Sequence, residues 1–159
     1  MTSREICGII NPELKFGINH RSSRGSVMKV SAKEQYGLRA MAELAKTYGQ
    51  GPVPLSEVAQ AQEISLDYLE QVVPDLRNAG LLDSTRGARG GYELSRPPAQ
   101  ITVGDVLRAL DGDILPVQCV GDECRDACAR TDDCGARTVW QTIHDQILHT
   151  LDNMRLADL

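Results

Sequence analysis

The fold is decided by the stretch Ser65-Leu66-Asp67-Tyr68-Leu69-Glu70-Gln71-Val72-Val73-Pro74-Asp75-Leu76-Arg77-Asn78-Ala79-Gly80. Four of its apolar residues recur at the 3.6-residue spacing of a helix that buries one face. They are Leu69, Val72, Val73 and Leu76. Ser65 is a residue type that caps helix N-termini, and Gly80 is one that ends helices. A helix is therefore predicted over Leu66–Ala79, with a kink at Pro74, which cannot donate the backbone hydrogen bond of its turn.

The segments around this helix predict a helix-turn-helix followed by a hairpin. A shorter helix is predicted before it at Leu55–Gln62, and two short strands after it at Leu81–Arg86 and Tyr92–Arg96. The hairpin tip, residues 87–91, is rich in glycine. Because a helix fits the major groove and a narrow hairpin can approach the minor groove, this pattern is typical of a winged helix-turn-helix. The alternative is that the same elements pack against a protein surface.

The predicted DNA-contacting residues lie on the outward face of the long helix and beside the hairpin tip. Polar side chains on the helix can donate to or accept from base edges and phosphates. Arginines at the tip can enter the negative potential of the minor groove. The residues are Ser65, Asp67, Tyr68, Glu70, Gln71, Arg86 and Arg89.

Two of the remaining helices begin with capping boxes, in which two side chains satisfy backbone N–H groups of the first turn. Ser31 with Glu34 begins the first helix. Thr102 with Asp105 begins another, which is expected to end near residue 110. The apolar stripe of the first helix consists of Leu38, Met41, Leu44, Ala45 and Tyr48.

The last long helix is predicted at about Arg137–Asn153. One apolar stripe runs along it and just past its end, at Trp140, Ile143, Ile147, Leu151 and Met154. This stripe is broad for a helix at the end of a small domain, so we expect it to be the seam of a dimer.

The predicted fold class is mainly α, a winged helix-turn-helix with a two-stranded wing and a long C-terminal dimerisation helix. Residues 1–27 show no sustained period and are expected to be a flexible extension, since Met28 opens the first convincing element and could be the true start. Residues 28–98 are predicted to form the DNA-binding domain. Residues 99–159 are predicted to form the cysteine-loop and dimerisation region.

Composition excludes several classes of protein. The net charge of −5 argues against indiscriminate nucleic-acid binding, but the excess acid lies in the C-terminal third and leaves room for a local basic surface. No apolar run approaches the roughly 18 residues needed to cross a membrane. A cytoplasmic protein without a membrane partner is therefore expected. No catalytic triad, phosphate-binding glycine loop or pair of catalytic carboxylates is evident, so neither an enzyme nor a small-molecule substrate is predicted.

Four of the five cysteines lie in one acidic segment, with the spacing Cys119-x4-Cys124-x3-Cys128-x5-Cys134. Thiolates hold iron–sulfur clusters, and a loop can wrap one without regular structure. Structural zinc more often uses Cys-x2-Cys pairs, which this segment lacks, and disulfides are disfavoured in the cytosol. We therefore predict an iron–sulfur cluster at these four residues. Zinc and metal-free redox thiols are the alternatives.

Several runs of the chain resemble, in the same order, the Rrf2 family of bacterial winged-helix repressors over residues 28–159. These runs are Met28-Lys29-Val30-Ser31, Tyr36-Gly37-Leu38-Arg39-Ala40-Met41, Ser65-Leu66-Asp67-Tyr68-Leu69-Glu70-Gln71, Leu76-Arg77-Asn78-Ala79-Gly80-Leu81, Arg86-Gly87-Ala88-Arg89-Gly90-Gly91-Tyr92 and Ile101-Thr102-Val103-Gly104-Asp105-Val106. The resemblance implies a homodimer joined through the long C-terminal helix and bound to double-stranded operator DNA. It also implies that Glu70 reads a base and that Arg86 enters the minor groove, whereas Pro74 departs from the family pattern.

For the cysteines, the resemblance implies a cluster of the 2Fe–2S rather than the 4Fe–4S type. Family members that bind a cluster use three loop cysteines and a fourth ligand that varies between branches. The three that match are Cys119, Cys128 and Cys134.

The positions that supply the fourth ligand in other family members hold different residues in this chain. One branch has a histidine three residues after the last cysteine, where this chain has Arg137. Other branches supply a carboxylate from the partner's first helix, where this chain has Gln35 with Glu34 beside it. Cys124 is the extra thiol that could fill the vacancy.

The expected function is that of a dimeric repressor whose DNA binding responds to redox, iron, iron–sulfur or nitric-oxide status through the cluster. The runner-up is a cluster-free winged-helix repressor of cysteine metabolism, controlled by a partner protein or by thiol oxidation. The third alternative is an iron–sulfur electron carrier, which would lack specific, salt-resistant duplex binding.

Overall fold

The computed structural model describes residues 30–87, 90–121 and 133–159, which form five α-helices and one two-stranded antiparallel sheet. The elements are α1 (Ala32–Lys46), α2 (Leu55–Gln62), α3 (Leu66–Asn78), β1 (Leu82–Thr85), β2 (Gly91–Leu94), α4 (Val103–Asp111) and α5 (Arg137–Asn153). Short 3-10 helices lie at Pro98–Gln100, Gln118–Val120 and Leu156–Asp158. The mainly helical class with a two-stranded wing is thereby confirmed.

The chain divides into two compact units. Among the described residues, the first unit contains 30–114 and 145–159, and the second contains 115–121 and 133–144. The first unit holds α1 to α4, the sheet and the end of α5. The second holds Cys119, Cys134 and the start of α5.

The buried face of α3 lies at the centre of the first unit. Its four apolar residues are at most 2% exposed, and they are Leu69, Val72, Val73 and Leu76. Met41 and Leu44 of α1 and Leu110 of α4 belong to the same core. The helices α1 and α4 approach closely at Gly37, where a β-carbon would lie 2.4 Å from Leu110 Cδ1. One face of α3 is therefore buried in the core, and the opposite face lies at the surface.

Both predicted capping boxes are confirmed. Glu34 N donates to Ser31 Oγ at 3.0 Å, and Asp105 N donates to Thr102 Oγ1 at 2.8 Å. In each box the carboxylate accepts in return from the backbone N–H of the cap residue. These boxes fix where α1 and α4 begin.

Two expectations at other helix ends are wrong. Ser65 occupies the N-cap position of α3, but its side chain makes no capping hydrogen bond with the described residues. Since Ser65 is exposed, water can satisfy the first N–H groups of α3 in its place. Tyr48 does not belong to the buried stripe of α1, because α1 ends at Lys46 and Tyr48 lies past that end, 42% exposed.

The wing is attached to the connection between α1 and α2. Strands β1 and β2 pair with Leu82 opposite Leu94 and Thr85 opposite Gly91. Val53 then pairs with Tyr92 on the other edge of β2, through two backbone hydrogen bonds of 2.9 and 2.8 Å. A β-carbon at Gly91 would lie 2.2 Å from the Val53 carbonyl oxygen, so only glycine permits this approach. The wing is thus widened by a third backbone segment beside the end of β2 that is nearer the tip.

The chain that follows α5 returns to the first unit. Val103 N donates to the Met154 carbonyl at 2.9 Å, and Leu156 N donates to the Ile101 carbonyl at 3.0 Å. Leu156 is 2% exposed and belongs to the core. These bonds make the last residues of the chain part of the winged unit.

Candidate DNA-binding surface and cysteine region

The N-terminal half of α3 presents a polar surface to solvent. Ser65, Asp67, Glu70 and Gln71 are all exposed, while the opposite face of the helix is buried. The structure therefore places all four predicted residues at the surface, with Ser65 at the N-terminal end of α3 and the other three along its exposed side. Carboxylate, amide and hydroxyl groups in this arrangement can accept from or donate to base edges in a major groove.

Tyr68 differs from the other predicted residues because it is half-buried. Its ring meets that of Tyr36 edge-on, with centroids 5.4 Å apart and planes at 85°. The guanidinium of Arg39 lies 5.7 Å from the Tyr36 centroid and also donates to the backbone carbonyl of Gln62. Tyr68 thus packs α3 against α1. It can do so because it lies at the edge of the buried face that contains its neighbour Leu69.

Pro74 lies on the exposed side of α3, one turn after Glu70. The helix continues through it to Asn78. Proline has no N–H to donate to the Glu70 carbonyl, and the exposure of this face allows water to do so.

Lys33, which no sequence pattern had identified, forms an ion pair with the C-terminal half of α3. Lys33 Nζ lies 2.8 Å from Asp75 Oδ2 and 3.8 Å from Asp111 Oδ1, and it also donates to the Leu110 carbonyl. The hydrogen bond with Asp75 is the largest cause that raises the pKa of Lys33 above its usual value, and the charges of Asp75 and Asp111 add to it. Lys33 therefore ties α1, α3 and the end of α4 together. No local pattern could have revealed it, since its partners are distant in sequence.

The wing places Arg86 directly after β1, where it is exposed. Gly87 follows with a φ of +115°, and a β-carbon at Gly90 would lie 2.2 Å from the Thr85 carbonyl oxygen. Both glycines are thus required by the tight tip. Arg89 lies outside the described residues.

The cysteine region is described at two of its four predicted ligands. Cys119, in the 3-10 helix Gln118–Val120, and Cys134, before α5, are half-buried thiols of the same unit. Cys124 and Cys128 lie outside the described residues. Within the described ranges, no three His, Cys, Asp or Glu side chains lie close enough to hold a metal ion.

The other residues considered in connection with the fourth ligand form hydrogen bonds within the described residues. The Glu34 carboxylate accepts from Ser31 N, and the Gln35 amide donates to the Val30 carbonyl at 3.0 Å. Arg137 begins α5, and its backbone N–H donates to the Cys134 carbonyl at 3.0 Å. The Arg137 Nε is buried and has no hydrogen-bond partner among the described residues.

Helix α5 carries large apolar side chains at its surface. All residues of α5 are described, and none of them is fully buried. Val139 is 57% exposed, Trp140 39% and Ile143 37%. Among the described residues, no helix is both long and apolar enough to cross a membrane.

Proteins with similar sequences are transcription regulators. The chain is 46% identical over 132 residues to the HTH-type transcriptional regulator CymR of Bacillus subtilis, a match that covers 83% of this chain and 89% of that protein. It is 38% identical to the HTH-type transcriptional regulator IscR of Serratia proteamaculans, covering 83% and 79%. These relatives confirm the prediction that the chain is not an enzyme.

Solved structures agree with these matches. The structure of CymR, the global cysteine regulator of B. subtilis, superposes with a TM-score of 0.71 at 43% identity and covers 83% of this chain and 95% of that one. The structure of IscR from T. potens gives 0.67 at 40% identity, covering 82% and 85%. The profile of the Rrf2 family, described as an iron-dependent transcriptional regulator, matches residues 30–159. The chain belongs to the Rrf2 family of transcriptional regulators.

Proposed function

We propose that this chain acts as a homodimeric repressor that binds operator DNA with α3 in the major groove and the wing over the minor groove. The observation that carries this proposal is the division of α3 into a fully buried apolar face and an exposed polar face. Because the core fixes its buried face, α3 can present side chains to base edges without further conformational ordering.

Each residue of this surface has a role that its chemistry supports. Glu70 accepts from cytosine N4, and Gln71 pairs with a neighbouring base edge. Ser65 and Asp67 orient the start of α3 on the duplex. Arg86 and Arg89 place cations at the wing tip, where a narrow minor groove concentrates negative potential. The Tyr68 hydroxyl adds a polar contact at the edge of the same face.

Dimerisation is supported by the exposed apolar residues of α5. Val139, Trp140 and Ile143 would lie in water in a monomer, and burying them against a second copy is favourable. A dimer presents two recognition helices to half-sites separated by about one helical turn of DNA. In this proposal the winged unit carries the DNA-binding surface, while the cysteine segment and α5 carry the sensor and the dimer contact.

The proposed signal is the state of an iron–sulfur cluster, of the 2Fe–2S type, held by Cys119, Cys124, Cys128 and Cys134. Thiolates are the ligands that such clusters take, and the two described thiols, both half-buried, belong to one unit. Arg137, three residues after Cys134, has a buried Nε–H without a hydrogen-bond partner among the described residues, and a cluster sulfur would be an acceptor for such a donor. When bound, a cluster supplies one-electron redox chemistry and sensitivity to oxidants and nitric oxide.

A second candidate is a cluster-free repressor of cysteine metabolism. It is favoured by the 46% identity to CymR and by the likeness to the structure described as the global cysteine regulator of B. subtilis. In that case the cysteines would act as thiols, or a partner protein would carry the signal. The two candidates share the DNA-binding surface and differ only in the sensor.

One set of anaerobic experiments tests both parts. The purified chain is first used to select binding sites from a random duplex library, and enrichment of a palindromic site with two half-sites is expected. Absence of any enriched site would contradict the DNA-binding proposal. Visible absorption with iron and sulfide analysis then separates the candidates, since a colourless, iron-free protein that still binds the site would favour the cysteine-metabolism type.

A further inference from the structure

Leu66, the first residue of α3, is a large apolar residue at the surface of an otherwise polar helix face. It is 36% exposed, whereas Leu69, Val72, Val73 and Leu76 of the same helix are buried. Leucine gives no advantage over alanine in helix propensity. Helix propensity therefore does not explain why an apolar side chain stands at this position, and packing does not account for the part of it that remains exposed.

The neighbours of Leu66 indicate what it faces. Ser65 and Asp67, on either side, are exposed, and Glu70 lies four residues later on the same side of the helix. These are residues that we have placed toward the major groove. Leu66 is thus an apolar group within a surface that otherwise offers hydrogen-bonding groups.

The major groove contains one apolar group on its base edges, which is the C5 methyl of thymine. An aliphatic side chain can contact it and remove both surfaces from water. Leu66 and Glu70 are about 6 Å apart along the helix axis, since each residue rises about 1.5 Å. That separation corresponds to roughly two base-pair steps of about 3.4 Å.

We propose that Leu66 is a specificity-determining residue that contacts the methyl group of a thymine within two base pairs of the cytosine read by Glu70. The inference rests on the proposed DNA-binding function and adds to it a preference that hydrogen bonding alone does not supply. A cytosine at that position lacks the methyl group and is discriminated against.

The test combines protein variants with a duplex that lacks one methyl group at a time. The site selected by the full chain is resynthesised with each thymine of one half-site replaced singly by deoxyuridine, which keeps the base pair and removes only the methyl. Wild type is expected to lose affinity about fourfold at one position near the Glu70-read cytosine, which is the scale of burying one methyl group. The variant Leu66→Ala should bind the thymine duplex more weakly and show no further loss with deoxyuridine.

Two controls keep this result specific. Leu66→Met retains an apolar side chain and should remain sensitive to the methyl group. Leu159→Ala removes a leucine that is 59% exposed at the end of the chain and should behave as wild type. Thermal unfolding of each variant shows that it is folded, which is expected because neither leucine belongs to the core.

The outcomes separate this inference from the function on which it rests. If wild type selects a site but is insensitive to every single deoxyuridine, or if Leu66→Ala loses as much as wild type does, Leu66 does not read thymine and the inference is overturned. If wild type selects no site, both the proposed function and the inference fail.

Discussion

Lys33 Nζ on α1 lies 2.8 Å from Asp75 Oδ2 on α3, and both side chains are about one-third exposed. This ion pair connects the first helix of the winged unit with the half of α3 that follows Pro74. Lys33 also reaches the end of α4 through the Leu110 carbonyl and Asp111.

For Lys33→Gln we expect a loss of up to about 1 kcal/mol in the free energy of unfolding, since partly exposed ion pairs are worth little more. The pKa of Lys33 is raised in the folded protein, chiefly by its hydrogen bond with Asp75. The stabilisation is therefore present below the ordinary lysine value of 10.5 and is lost as the pH rises through the higher folded pKa. Urea unfolding at pH 8 and above pH 11 checks this, and a wild-type advantage that grows with pH would contradict it.

Gly104→Ala should stabilise the winged unit by less than the roughly 1 kcal/mol that the better helix propensity of alanine would give. A β-carbon at Gly104 would lie 2.2 Å from Asp152 Oδ1 and 3.0 Å from an Arg108 guanidinium nitrogen. It would displace the pair in which Arg108 Nη2 contacts both Asp152 oxygens at 2.7 Å. Because this pair is partly exposed, we expect its disruption to offset up to about 1 kcal/mol of that gain, measured by urea unfolding. Gly135→Ala is the control, since its β-carbon would meet no described atom within 4 Å; equal stability of both variants would refute the steric argument.

Pro74→Ala should stabilise the protein. Alanine restores the N–H that can donate to the Glu70 carbonyl, and its side chain leaves no cavity because position 74 is exposed. We expect a gain of about 1–3 kcal/mol in the free energy of unfolding, partly offset by the greater freedom of the unfolded chain. A loss of stability would show that proline is matched to the course of α3 in a way that the local hydrogen bonding does not explain.

Glu70 and Arg86 should contribute to DNA binding in different ways. Glu70→Ala is expected to relax the preference at one base pair, because in the proposed complex the carboxylate accepts from cytosine N4 and repels other acceptors. Arg86→Ala is expected to weaken binding to every sequence by about 1–3 kcal/mol and to reduce its salt dependence. Affinities over a salt series on the selected site and on single-base variants measure both effects. Unchanged binding by Arg86→Ala at all salt concentrations would remove the wing from the interface.

Serine substitutions should divide the cysteines into two classes. Cys119→Ser, Cys128→Ser and Cys134→Ser are each expected to abolish the visible absorption of the anaerobic protein, and Cys124→Ser is expected to do the same if it supplies the fourth thiolate. Cys7→Ser is the matched control, because it lies outside the acidic segment. A Cys124→Ser protein with an unaltered spectrum would place the fourth ligand elsewhere.

Much of this fold could be predicted from local patterns. The buried face of α3 follows from apolar spacing, and α1 and α4 begin where Ser31 and Thr102 form capping boxes. These features depend on residues within one or two turns of each other. The half-buried position of Tyr68 was missed because it is decided by Tyr36, 32 residues earlier, on another helix.

The contacts that position the candidate site are long-range and could not be predicted. Lys33 meets Asp75 and Asp111, and Arg108 meets Asp152, only after four helices have packed. Exposed lysines and aspartates are frequent, so nothing in their local sequence distinguishes these from solvated charges. The outward positions of Glu70 and Gln71 were predictable, in contrast, because the buried face of their own helix determines them.

The pairing of Val53 with Tyr92 has a consequence for the duplex rather than for the protein. Because β2 is joined near the wing tip by backbone hydrogen bonds to the segment that leads into α2, the hairpin cannot move freely relative to the helices. A duplex that receives both must therefore adjust its own groove width and curvature. The energy of that adjustment depends on the stiffness of base steps between the contacted positions. Sequence preference should extend to base pairs that no side chain touches, with flexible pyrimidine–purine steps favoured where the duplex has to bend.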